Sequence, residues 1–239
     1  MSWTERSAAL SELLGLSTPP IAITFTEAAP DGVGFFDAPM AEATPDGRTG
    51  RVPAGCVFWM EAAKGPFATA PADHGNCSVG SLTHGLITLE EAAGRADVGA
   101  IVEAGWVDPS DFADIPTVSR KPGAITYAPL DRTPLDPDVV LVRVNGKQMM
   151  VLHDAVPDMY LGGKPQCHIV AIAAEEGRVA GSVGCALSRV RTAMPATEMT
   201  CAIPASQLDA LLESLRENRA ADDAVATYAA EDKRRFARA

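Results

Sequence analysis

The pattern of apolar and polar positions predicts helices and strands in alternation along the chain. The leucines within residues 10–14 follow helical spacing, and the prolines at 19 and 20 end that segment, so a short amphipathic helix opens the chain. Apolar residues alternate over 21–25, which predicts a strand with one buried face. A long loop is expected over 28–54, which is crowded with Gly, Pro, Ala and Asp. Further strands are predicted at 124–127, 139–144 and 199–203, and further helices at 56–63, from about 89, at 149–155, at 167–176 and from about 208.

Two stretches of the sequence resemble each other. The segment that begins at Cys56 aligns with the segment that begins at Cys167, with a pair of alanines at the same offset, and Ser78-Val-Gly80 matches Ser182-Val-Gly184. Strand, long connection, Cys-headed helix and Ser-Val-Gly turn therefore occur twice in the same order, which indicates an internal duplication. The predicted fold is α/β, or α+β, with a mixed sheet and helices: one compact domain, 1–239, of two pseudo-symmetric half-domains, about 1–128 and 137–239, joined by the Pro-rich link 129–136.

The duplication gives four of the five cysteines equivalent places. Cys56 and Cys167 head equivalent helices, while Cys77 and Cys185 flank equivalent turns, so we expect the four thiols to converge. Helix N-termini favour thiolates, and neighbouring glycines let backbone N–H groups approach the sulfurs. Thiolates select soft metals, which predicts a metal site. Cys201 lies inside an apolar strand and is interpreted as a small core residue.

Composition narrows the function classes. The chain of 239 residues has 20 Lys and Arg against 31 Asp and Glu, a net charge of −11, which excludes a nucleic-acid binder that neutralises phosphates. No basic leader and no apolar run long enough for a membrane span is evident, so a soluble cytoplasmic protein is expected. In that reducing compartment an odd number of cysteines indicates thiols or metal ligands rather than disulfides.

Few other residues are candidates for a catalytic or ligand-binding role. His84 and His74 bracket Cys77, and either could serve as a base or a ligand. Arg189 and Arg191 follow Cys185 and could bind a carboxylate or phosphate, so we assign them with His84 as candidate substrate-binding residues. Nucleotide-loop, zincin and serine-hydrolase motifs are absent from the sequence.

Several stretches together resemble one family. They are Leu14-Gly-Leu-Ser-Thr-Pro-Pro-Ile-Ala-Ile23, Cys77-Ser-Val-Gly-Ser-Leu-Thr-His-Gly85, Pro137-Asp-Val-Val-Leu141 and Gly184-Cys-Ala-Leu-Ser-Arg189. The sequence resembles domain-of-unknown-function family 169, an uncharacterised bacterial and archaeal group. The resemblance implies an iron–sulfur or other metal-binding role for recurring cysteines, which map here onto Cys56, Cys77, Cys167 and Cys185.

The leading hypothesis is an iron–sulfur protein in which these four cysteines hold the cluster. The cluster type we favour is [4Fe-4S], with a redox or Lewis-acid role in small-molecule metabolism. Zinc is the alternative metal, and a cluster-free enzyme with Cys77 or Cys185 as nucleophile and His84 or His74 as base is the alternative mechanism. A non-catalytic accessory protein is a third hypothesis. Expected partners are a small-molecule substrate or a redox partner protein, with no nucleic acid and no membrane, and a homo-oligomer is left open.

Overall fold

The protein is a mixed α/β structure with helices on both faces of one seven-stranded sheet, as the sequence predicted for its fold class. The structure, a computed structural model, describes residues 1–37, 54–192 and 194–237. Most of the loop expected over 28–54 therefore lies outside the described residues. No helix of the described ranges is both long enough and apolar enough to cross a membrane.

The elements follow one another in mixed order. The strands are β1 (Ile21–Thr26), β2 (Phe67–Thr69), β3 (Ala124–Pro129), β4 (Val139–Val144), β5 (Tyr160–Gly162), β6 (Ala180–Ser182) and β7 (Met199–Pro204). The helices are α1 (Trp3–Leu14), α2 (Gly55–Glu61), α3 (Ser78–Thr83), α4 (Leu89–Ala93), α5 (Ala96–Glu103), α6 (Gly146–Ala155), α7 (His168–Ala171), α8 (Ala186–Thr192) and α9 (Leu208–Phe236). A π-helical turn, Ile172–Glu176, continues α7.

Local sequence signals explain where several helices start and stop. Ser2 and Glu5 satisfy each other's backbone N–H groups at the start of α1, and Gly15 ends that helix in the left-handed conformation with φ 63°. Thr88 and Glu91 form the same reciprocal cap at the start of α4. These caps fix helix starts independently of tertiary packing.

The strands run in the order β2-β3-β1-β4-β7-β6-β5. All neighbours are antiparallel except β5 and β6, which are parallel. β1 and β4 pair with each other near the middle of the sheet. On its other edge β1 pairs with β3, and β4 pairs with β7. The Val139–Val144 strand is apolar on both faces because helices cover both sides of the sheet centre.

The internal duplication is not confirmed, and one of the matches that suggested it is wrong. Ser78, Val79 and Gly80 form the first turn of α3, whereas Ser182 is the last residue of β6. Gly184 follows in a turn with φ 118°, a conformation that an L residue rarely adopts. The Ser-Val-Gly sequence therefore begins a helix in the first half of the chain and lies at the end of a strand in the second half.

The alternation of side chains along the strands separates two apolar cores. Ile21, Ile23 and Phe25 point into a core shared with α2, α3 and α7, while Ala22 and Cys201 belong to a core shared with α1, α6 and α9. Cys201 is fully buried there. Its place in an apolar strand agrees with the packing role inferred from the sequence.

Candidate metal centre

Four cysteines from separate parts of the chain line one pocket. Cys56, Cys77, Cys167 and Cys185 all contribute to its wall, and its cavity volume is about 30 Å³. All four are free thiols. The pocket lies on the α2, α3 and α7 side of the sheet, away from Cys201. The convergence expected from the sequence is thus observed, although binding of a metal by these thiols stays a prediction.

Each of these cysteines lies at the start of a helix. Cys56 is the second residue of α2, Cys77 and Cys167 are the N-caps of α3 and α7, and Cys185 directly precedes α8. We expected only Cys56 and Cys167 to head helices. The first-turn N–H groups of a helix have no partner within the helix, so four sets of backbone donors begin around the pocket.

Burial governs the protonation of two of the thiols. Desolvation, with a smaller contribution from the proximity of Cys77 and Cys185, raises the pKa of Cys56 to about 11 against the lowering effects of Ser188 and Arg191. Desolvation, and next the charge of Cys77, raises the pKa of Cys167 well above its usual value. Both are therefore neutral thiols at pH 7 without a metal. A bound metal would have to displace their protons, which makes its affinity pH-dependent.

Among the described residues that line the pocket, Arg191 is the one cation. Its Nη2 donates to the carbonyl of Asn76 at 2.8 Å, and its guanidinium lies near the sulfur of Cys77. Burial lowers the pKa of Arg191, but its proximity to the sulfurs of Cys77, Cys56 and Cys185 more than offsets this effect, so the net pKa is raised. The guanidinium thus compensates negative charge that develops on the sulfurs.

Arg189 faces a different set of groups. Its Nη1 donates to the carbonyl of Pro195 at 2.7 Å, and its Nη2 donates to the carbonyls of Val183 and Glu198. The guanidinium does not line the cysteine pocket. We therefore interpret Arg189 as a brace for the turn before Cys185, and we leave it out of the proposed site.

His84 lies behind the pocket wall and is fully buried. Its Nδ1–H donates to the carbonyl of Gly80 at 2.7 Å, while its Nε2 has no hydrogen-bond partner among the described residues. Burial lowers the pKa of His84 to about 4, with a smaller opposing effect of the Gly80 bond. The ring is therefore neutral at pH 7 and supports backbone beside the cysteines.

His74 is also buried, and its ring centroid lies 5.7 Å from that of His84. Its Nε2 is hydrogen-bonded to Thr69 Oγ1 at 2.9 Å. Burial, and then the charge of His84, lowers the pKa of His74 well below its usual value. Neither histidine lines the cysteine pocket.

One known protein family matches most of the chain. The family described as uncharacterised ArCR, domain-of-unknown-function family 169, matches residues 9–214. The chain belongs to this family. The match covers all four pocket cysteines and ends within α9. No curated protein and no solved structure is significantly similar to the chain.

The donor set of this family 169 protein has the chemistry of a soft-metal site. The described residues of the lining include four thiols and no carboxylate or imidazole. Thiolate ligands suit iron–sulfur clusters and zinc. Within residues 1–37, 54–192 and 194–237, no group of three or more His, Cys, Asp or Glu side chains is arranged to hold a metal ion. The four cysteines therefore fit an iron–sulfur cluster or zinc by the chemistry of their sulfur atoms, and not by a ligand arrangement that is already in place.

Several residues of the pocket were not singled out from the sequence, among them Ser188, Gln166 and Trp106. Ser188 Oγ accepts a hydrogen bond of 2.8 Å from Gln166 and lies near the thiol of Cys56. Ser188 lies three residues after Cys185, one helical turn along, which is a signal the sequence offered. Trp106 closes one side of the pocket, and only the tertiary fold brings it there.

Proposed function

We propose that this protein binds an iron–sulfur cluster, [4Fe-4S] in type, through Cys56, Cys77, Cys167 and Cys185. The observation that carries the proposal is the single pocket lined by these four free thiols. Such a cluster takes four cysteine thiolates and supplies electron transfer or, at an open iron, Lewis acidity. Its role here would be redox or Lewis-acid chemistry on a small molecule.

The surrounding residues would support this role in distinct ways. Arg191 places one positive charge beside the sulfur of Cys77, which offsets the negative charge of a thiolate-bound cluster. Trp106 and Leu187 line the pocket with apolar surface and limit access of water. Hydrogen bonding and water exclusion are the means by which a protein sets the potential of such a cluster.

The same proposal covers location and partners. None of the five cysteines is in a disulfide, which is typical of a reducing compartment, so we infer a cytoplasmic protein. Its partners would be a small-molecule substrate or a protein that exchanges electrons with the cluster.

Anaerobic purification with iron and sulfide analysis tests the proposal. We expect a brown protein with about four irons and four sulfides per chain, the content of one [4Fe-4S] cluster, and an EPR signal after reduction. Stoichiometric zinc without sulfide would support the zinc alternative. A metal-free protein in which iodoacetamide labels Cys77 or Cys185 fastest would support the nucleophile alternative.

Serine variants identify the ligands. Replacement of Cys77 or Cys185 should lower cluster content sharply, because serine is a poor ligand for iron in place of a thiolate. Cys201→Ser is the matched control, since that thiol lies in the other core. Equal loss of iron in all three variants would contradict the assignment.

A further inference from the structure

A second cavity adjoins the cysteine pocket. Its volume is about 100 Å³, and Val79, Trp106 and Pro165 belong to the walls of both cavities. Val79 follows Cys77 by two residues and Pro165 precedes Cys167 by two, so the shared wall is built from the chain next to two of the pocket cysteines.

The second cavity is mostly apolar with a few polar groups. Ile101, Val107, Ile115 and the Phe112 ring supply its apolar surface together with Trp106. Small-molecule sites generally combine such an apolar lining with a few polar groups that orient the ligand. A cavity of this size holds a compact body of a few carbon atoms, since one of about 150 Å³ holds benzene.

Three polar side chains line the same cavity: Lys164, Asp111 and His168. The Lys164 ammonium donates to the Trp106 carbonyl and lies 4.6 Å from the centroid of the Trp106 ring. No carboxylate of the described residues forms an ion pair with it. Its charge is therefore held at the cavity without an acidic partner.

His168 adds a second polar group to the lining. Its Nε2 is buried and has no hydrogen-bond partner among the described residues. Among the described residues of the lining, Asp111 is the one acidic side chain, and it is exposed. The Lys164 ammonium over Trp106 is therefore the best-defined charge at the cavity.

We propose that this cavity binds a small carboxylate with a compact apolar body, its carboxylate paired with Lys164 and its apolar part against Trp106 and Phe112. The shared wall would place this ligand next to the cysteine pocket, as substrate or product of the chemistry there. That role rests on the proposed function, whereas binding itself does not.

The probe is isobutyrate, and isobutyramide is its neutral match of the same shape. Ligand-observed NMR titrations of the full chain, in cluster-loaded and metal-free forms, measure both affinities. We expect saturable binding of isobutyrate in both forms and binding of isobutyramide weaker by about fivefold, since the ion pair with the exposed Lys164 ammonium is lost. In the loaded protein, isobutyrate should also change the EPR spectrum of the reduced cluster.

Two variants should change the affinity in opposite directions. Lys164→Gln should weaken isobutyrate binding by about fivefold, and Lys164→Arg should restore most of it because the charge returns. Asp111→Asn should tighten binding, because a like charge is removed from the wall. Lys147→Gln, at an exposed lysine outside this cavity, should leave the affinity unchanged.

The possible outcomes test the carboxylate site separately from the proposed iron–sulfur cluster. Absence of saturable binding, equal binding of the amide, or weaker binding in Asp111→Asn would overturn it. Binding that leaves the EPR spectrum unchanged would overturn the assignment as a substrate site. If the purified protein contains no cluster but binds isobutyrate as described, the proposed function fails while the carboxylate site stands.

Discussion

The imidazole of His84 lies directly against the backbone of Gly55, so that a Cβ added at Gly55 would be 3.0 Å from His84 Cε1. The same ring donates from Nδ1 to the carbonyl of Gly80. One buried ring therefore connects the start of α2, which carries Cys56, with the first turn of α3, which follows Cys77. The spacing of these two proposed ligands depends on that contact.

Gly55→Ala should lower the metal content of the purified protein. The added methyl requires the His84 ring or the start of α2 to give by a few tenths of an ångström, and either shift moves Cys56 relative to Cys77. We expect iron per folded chain to fall severalfold, measured by iron analysis after size-exclusion chromatography.

Gly99→Ala is the control for that variant. Gly99 lies inside α5, and a Cβ there meets no atom within 4 Å, so alanine should stabilise the helix by about 0.5–1 kcal/mol. Its iron content should equal that of the wild type. Full iron content in Gly55→Ala would show that the His84 contact does not set the ligand spacing.

Arg191→Gln should lower the midpoint potential of the bound cluster. Reduction adds negative charge, which the guanidinium beside Cys77 stabilises, so its removal favours the oxidised form. A tenfold change in the reduction equilibrium corresponds to about 59 mV for one electron, and we expect a shift of that order in a spectroelectrochemical titration.

Arg191→Lys keeps the charge and should shift the potential less. Arg219→Gln removes an exposed positive charge on α9 and should leave the potential unchanged. A potential that is the same in Arg191→Gln and the wild type would remove Arg191 from the proposed electrostatic role.

The metal-free protein should lose stability as the pH falls from about 6.5 to 4. The folded-state pKa of His84 is depressed to about 4 by burial, so the unfolded chain binds the proton first. The stabilisation is therefore complete above pH 6.5 and is lost as the pH falls through 4. A depression of this size corresponds to roughly 3 kcal/mol.

Urea unfolding at several pH values measures this effect. His84→Gln should give a flatter profile over that interval, whereas His153→Gln, at an exposed position, should run parallel to the wild type. A His84→Gln profile as steep as that of the wild type would assign the acid sensitivity to other groups.

Cys201→Ser should destabilise the protein by about 1–3 kcal/mol, because it buries a hydroxyl in an apolar core. Urea unfolding of the metal-free protein measures the loss. Replacement by alanine, which introduces no hydroxyl, provides the comparison. A serine variant as stable as the wild type would indicate that the hydroxyl finds a partner in the core.

The long strands were predictable because their side chains alternate, as in Ile21–Thr26, or are apolar at nearly every position, as in Val139–Val144, where Arg143 is the exception. The strands Phe67–Thr69, Tyr160–Gly162 and Ala180–Ser182 were missed, since three residues are too few to establish a period. Phe67–Thr69 and Ala180–Ser182 pair with the longer strands β3 and β7, and Tyr160–Gly162 pairs with Ala180–Ser182 at the edge of the sheet.

The convergence of the cysteines was anticipated, although part of its argument was wrong. Cys77 and Cys185 are alike because each directly precedes a helix, not because the Ser-Val-Gly stretches superpose. Trp106 and Lys164 could not be placed near them from the sequence. Their contact joins distant segments of the chain, and no local pattern encodes such a contact.

The origin of the pocket in four separate helix starts has a consequence for biosynthesis. A cluster bound by Cys56 and Cys77, which precede β4 in the chain, and by Cys167 and Cys185, which follow it, would act as a cross-link between two distant parts of the chain. The chain segments between the four ligands differ greatly in length, and the cluster would close each of them into a loop. Loss of the cluster would free these segments and so raise the conformational entropy of the unfolded chain. Loading could not be complete before Cys185 is synthesised, so all four ligands would be available only after β4, α6 and α7 had been made.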